Sequence, residues 1–78
     1  MAAEIKTLRE FKARAEALFW KANPQAAHAY LRWVRANPVK RWANGKPGFS
    51  GTIEVRAAGY RPTNMIATYV RGDGLGVR

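Results

Sequence analysis

The 78-residue chain has no cysteine, a single histidine (His28), a single serine (Ser50) and only five acidic residues. Lack of cysteine excludes a disulfide framework and any Cys-based metal site. With one serine, one histidine and no thiol, neither a Ser/His/Asp nor a Cys/His arrangement can be assembled. Glu4, Glu10, Glu16, Glu54 and Asp73 are scattered, and three of them fall on one expected helix surface, so paired-carboxylate catalysis has no basis. Gly48-Phe49-Ser50-Gly51 lacks the spacing of a nucleophile elbow, and Gly45-Lys46-Pro47 has proline where a phosphate-binding loop needs Ser or Thr. Binding is expected rather than catalysis, with no cofactor and no metal. No apolar run is long enough to span a membrane, and the N-terminus has no signal-peptide pattern. A cytoplasmic, non-membrane protein is expected.

What the chain does have is one-sided charge. Fourteen Lys and Arg give a net charge of +9. Residues 1–23 carry five basic against three acidic groups, and residues 24–78 carry nine against two. Between Ala17 and Ile53 there is no acid, while Lys21, Arg32, Arg35, Lys40, Arg41 and Lys46 alternate with Trp20, Tyr30, Trp33, Trp42 and Phe49. Such a stretch suits a polyanion, or a protein that presents an acidic surface. Arginine outnumbers lysine nine to five, which favours bidentate contact with phosphate or carboxylate; a GC-rich coding sequence produces the same bias. A domain this small buries little surface, so oligomerisation or partner binding is expected to supplement its stability.

The expected fold is α+β: two helices plus a possible short third helix, packed on a C-terminal antiparallel β-hairpin. It forms one domain over residues 1–78. Residues 1–36 read as a helical hairpin, 37–51 as a basic linker or short helix, 52–71 as the β-hairpin and 72–78 as a flexible tail. Ile5, Leu8, Phe11, Ala15, Leu18, Phe19 and Ala22 share one stripe at helical spacing over residues 4–22, with Thr7 and Glu10 as a capping box. Asn23-Pro24 then reads as a restart, with a second helix to about Ala36. Basic-Ala-Asn-Pro recurs fourteen residues later, which predicts a short third helix over Val39–Asn44 closed by Gly45. The competing reading makes Asn44-Gly45 a hairpin turn. From Thr52 the period changes to two, and Met65–Val70 supplies a return strand.

Three clusters are candidate contact surfaces. His28, Arg32 and Arg35 would share one face of the second helix. Lys40, Arg41, Trp42, Lys46 and Phe49 pair basic groups with stacking rings, although Trp42 and Phe49 could equally be core residues. Arg56, Tyr60, Arg61 and Arg71 line the hairpin and its exits. Helices followed by a hairpin resemble a winged-helix protein in element order alone.

The chain as a whole, small, single-domain, cysteine-free and without enzyme motifs, also resembles phage-encoded inhibitors of the anti-CRISPR type. Trp20, Arg32, Arg35, Trp42 and Tyr60 would suit a hot-spot surface. The resemblance is one of general type over the whole chain and rests on no shared motif. It implies a stoichiometric inhibitor that docks on a nucleoprotein effector, such as a CRISPR-type surveillance complex, and blocks DNA binding or nuclease recruitment. Many such inhibitors are acidic DNA mimics, and this chain has the opposite sign. It would therefore have to engage nucleic acid or acidic protein surface. The alternative is a direct DNA- or RNA-binding regulator of winged-helix-like type.

Overall fold

The computed structural model describes residues 4–78. It contains one α-helix, α1 (Leu8–Ala22), then a single 3-10 turn at Pro24–Ala26 and four strands, β1 (Tyr30–Val39), β2 (Gly48–Arg56), β3 (Thr63–Val70) and β4 (Gly74–Val77). The strands form one antiparallel sheet in the order β1-β2-β3-β4. The expected two or three helices on a C-terminal hairpin are therefore corrected to one N-terminal helix laid on one face of a four-stranded meander. The first three residues of the expected 1–36 helical hairpin lie outside the described residues.

The start of α1 follows its local chemistry. Thr7 is the N-cap, its hydroxyl accepting the Glu10 N–H at 3.1 Å, and the Glu10 carboxylate accepts the Lys6 N–H at 3.2 Å. At the other end, the Asn23 backbone and side-chain N–H groups both donate to the Phe19 carbonyl, at 3.0 and 2.9 Å. Asn23 thus closes α1 instead of starting a second helix, and Pro24 opens only the 3-10 turn.

Tyr30–Val39, of which residues 30–36 were expected in the second helix and 37–39 in the linker, are the edge strand β1. This strand carries a bulge. The register on β2 shifts between Trp33 and Arg35, leaving Val34 as the extra residue. Inward positions therefore run Leu31, Trp33 and Ala36, while Tyr30 and Val34, which with Ala26, Ala27 and Trp33 form the buried face of the expected second helix, are exposed. Pro38 is tolerated because the strand is at the sheet edge. The expected third helix is also absent: residues 40–47 form the β1–β2 loop, with Gly45 at φ 84°. The competing reading, a hairpin turn at Asn44-Gly45, is the closer description. The expected 52–71 hairpin survives as β2 and β3 at the centre of the sheet. The expected flexible tail instead adds β4, which pairs Leu75 with Tyr69 and Val77 with Ala67.

The core lies between α1 and one face of the sheet. Phe11 and Ala15 of the helix meet Ile53, Ala67 and Tyr69, all buried. Phe11 stacks on Phe49 at 5.4 Å between ring centroids and meets Trp33 at 5.7 Å. Burial of a side chain like Phe11 contributes about 1.5–3 kcal/mol. The Trp33 indole N–H donates to Glu16 at 2.8 Å, and the Tyr69 hydroxyl accepts the Ile5 N–H at 3.3 Å. Among the described residues no buried side-chain polar atom lacks a partner. No helix among them is long and apolar enough to cross a membrane.

Candidate nucleic-acid interface

Alternation along each strand sends one set of side chains to the helix and the other to the opposite face, which none of the described residues covers. The cross-strand register gives the order of that bare face. Tyr30 stands opposite Arg56. The next row is Arg32, Glu54 and Asn64. After it come Arg35, Thr52 and Ile66, and Ile66 exchanges both backbone hydrogen bonds with Arg78, at 2.7 and 2.9 Å. Asn37, Ser50, Thr68 and Gly76 follow. With strands about 4.8 Å apart, Arg35 and Arg78 stand about 14 Å apart on opposite edges.

The bulge in β1 decides this arrangement. In a regular strand Arg32 and Arg35 would point to opposite faces. The register shift pairs them with Glu54 and Thr52, two residues apart on β2, so both face outward. Arg32 and Arg35 were expected together on a helix face with His28. The structure keeps the two arginines together on the sheet, while His28 lies in the turn before β1.

Glu54 is the one acid on this face. Its side chain is 15% exposed and lies between the Arg32 and Arg56 Nε atoms, at 3.1 and 2.9 Å from one oxygen. The Arg32 hydrogen bond, supported by Arg56, holds its carboxyl below the ordinary 4.5, against the opposing effect of burial. The remaining acids are engaged elsewhere: Glu4 with Arg71, Glu10 with the Lys6 N–H, Glu16 with Trp33, and Asp73 with Asn44 and Lys46. Among the described residues Arg35, Lys40, Arg41, Arg61 and Arg78 make no ion pair.

The other sequence candidates divide between the two ends of the sheet. Tyr60 and Arg61, both exposed, sit in the β2–β3 loop just beyond Arg56, at the end that also carries Tyr30 and His28. Lys40, Arg41, Trp42 and Lys46 belong to the β1–β2 loop at the far end. That loop is built into the fold: the Trp42 indole N–H donates to the Tyr69 carbonyl at 2.9 Å, and Asn44 donates to Asp73 at 2.7 Å. Trp42 is half-buried there, and Phe49 belongs to the core under α1. Lys40 lines a cleft of about 350 Å³ with Glu4, Lys6, Phe49 and Arg71. Arg71 pairs with Glu4 at 3.2 Å, away from the bare face.

Sequence reasoning missed Thr52, Ile66 and Arg78 as parts of one surface. The signal for Arg78 was the alternation Gly74-Leu75-Gly76-Val77, a period of two masked by glycines. Among the described residues no group of three His, Asp or Glu is arranged to hold a metal ion. The winged-helix resemblance in element order is lost with the second and third helices. A scan against protein-family models and searches of curated proteins and of solved structures find no match to this chain.

Proposed function

We propose that this chain is a non-enzymatic binding protein that acts on nucleic-acid-handling machinery, with the bare sheet face as its contact surface and nucleic acid as what that face touches. The observation that carries this reading is the concentration of Arg32, Arg35, Arg56 and Arg78 on an uncovered face whose single acid is already held by two of them. Side-chain hydroxyls and amides of Ser50, Thr52, Thr68, Asn37 and Asn64 lie among the arginines and add donors for phosphate or base edges. Glu54 holds Arg32 and Arg56 in place before a ligand arrives. A phosphate can take over those donors in the geometry already set.

The general resemblance to anti-CRISPR inhibitors gives this surface a role. A protein with net charge +9 that lies on the guide or target strand of an effector complex would occupy the path of target DNA or of the nuclease. Fluorescence anisotropy of labelled oligonucleotides at several salt concentrations tests the contact. Three or four phosphates held by the arginines predict a log–log salt slope of about −2 to −3 on single strands, at about −0.7 per phosphate. Arg32→Ala with Arg35→Ala should weaken binding and flatten the slope, with circular dichroism unchanged. Binding to a nucleic-acid-free effector, insensitive to salt, would contradict contact with nucleic acid.

A further inference from the structure

We infer that the preferred ligand of this face is single-stranded nucleic acid, with Tyr30 and Tyr60 as stacking platforms for unpaired bases; this rests on the reading of the bare face as a nucleic-acid surface. Tyr30 and Tyr60 are 75% and 79% exposed, the two most exposed large apolar side chains of the described residues. Neither ring serves the core, and neither takes part in an aromatic pair. Tyr30 stands beside Arg56 as its cross-strand partner, and Tyr60 lies in the turn four residues after it. The Tyr60 N–H bonds the Ala57 carbonyl at 3.1 Å, so the chain turns back directly after β2.

Exposed rings next to guanidinium groups have a use on a single strand that they lack on a duplex. A duplex keeps its bases stacked and offers phosphates outward, so the arginines would be satisfied and the tyrosines idle. An unpaired base can leave its neighbours and lie on an aromatic face while the adjacent phosphate meets an arginine. The face provides such a track. Along β1 and β2 the rows run Tyr30/Arg56, Arg32/Glu54, Arg35/Thr52 and Asn37/Ser50. Three steps of about 6.8 Å make a path about 20 Å long that starts at the aromatic end. Ile66, 47% exposed, lies beside Thr52 and offers apolar surface to a base further along.

The test uses the full chain, a labelled mixed-sequence single strand and the duplex of the same sequence, at one moderate salt concentration. The single strand should bind at least tenfold more tightly than the duplex. Tyr30→Ala and Tyr60→Ala should each weaken single-strand binding about 5- to 150-fold, the cost of one lost stacked base, and leave duplex binding within about twofold. Tyr30→Phe and Tyr60→Phe should keep the preference, because the ring and not the hydroxyl is used. Both tyrosines are exposed, so melting curves should not change. Equal affinity for the two forms, or tyrosine variants that bind like the parent while Arg32→Ala with Arg35→Ala binds weakly, would overturn the inference and leave the nucleic-acid face standing. No binding to either form would overturn both.

Discussion

Gly51→Ala should destabilise this protein, although at most strand positions the same change stabilises. Gly51 is buried at the middle of the sheet, between Ala36 and Ala67 on the neighbouring strands. A methyl there would stand 2.6 Å from Cζ3 and 3.1 Å from Cε3 of Trp33, and 2.8 Å from the Arg35 carbonyl oxygen. The indole is not free to withdraw, because its N–H is bound to Glu16 at 2.8 Å and its ring lies against Phe11. Without the clash, the alanine would gain about 0.4–1 kcal/mol from a stiffer unfolded chain. Overpacking costs about 1–3 kcal/mol, and a hydrogen bond to a charged group given up in escape costs about 1.5–3 kcal/mol. The two costs are alternatives more than additions, so against that gain a net loss of about 0.5–2.5 kcal/mol is expected. For a domain of this size that is a Tm lowered by about 2–20 °C. Thermal and urea unfolding followed by circular dichroism read it directly. In a Trp33→Leu background the clash with the indole disappears and only the contact with the Arg35 carbonyl remains, so Gly51→Ala should cost less there. A Gly51→Ala protein that melts at or above the parent temperature would refute the placement of Trp33 over Gly51, and with it the strand reading of residues 30–39.

Phe11 has no exposed surface and touches both Phe49 and Trp33, so Phe11→Ala should cost about 3–5 kcal/mol. Total stability at this length is only about 4–12 kcal/mol, so near-ultraviolet circular dichroism should show most of the tertiary signal lost at moderate temperature. Glu54 has a folded pKa below its ordinary 4.5, so its stabilisation is fully present above that value and is lost as pH falls through the lowered one. The Tm difference between the parent and Glu54→Gln should therefore shrink on acidification below about pH 4.5, and a constant difference would contradict the pairing. Glu54→Gln also releases Arg32 and Arg56 at neutral pH, so it should bind oligonucleotides more tightly and with a steeper salt slope. Weaker binding would mean that the positioning Glu54 gives the two arginines outweighs the negative charge it places on the face.

Local chemistry made part of the fold legible. The stripe through Phe11, Ala15 and Phe19, with Thr7 and Glu10 at its start, identified α1. The alternation at Ile53 and Val55 and the β-branched run after Met65 identified β2 and β3. β1 was lost because Ala26, Ala27, Tyr30, Trp33 and Val34 fit a helical stripe, and because Asn23-Pro24 can end a helix as well as begin one. Neighbouring alanines strengthened the helical reading. β4 was lost because Gly72, Gly74 and Gly76 look like a mobile tail, while a neighbouring strand is what orders them. The site was legible in composition but not in geometry. Arg32 and Arg35 were grouped on a helix that does not exist, and it is the bulge that returns them to one face. Phe49 and Trp42 illustrate a different limit: a basic aromatic stretch reads the same whether its rings face a ligand or the core, and only the register of β2 and the Tyr69 carbonyl separate the two.

The central claim is that binding belongs to the bare sheet face and not to net charge spread over the molecule. The most direct measurement compares two double variants with equal charge loss, Arg32→Ala with Arg35→Ala on the sheet and Arg9→Ala with Lys21→Ala at exposed positions of α1. Single-strand affinity would be read by anisotropy at near-physiological salt, where diffuse attraction is screened within about 8 Å. The account predicts at least a tenfold loss for the sheet pair and less than threefold for the helix pair. Equal losses, or the larger loss for the helix pair, would contradict it.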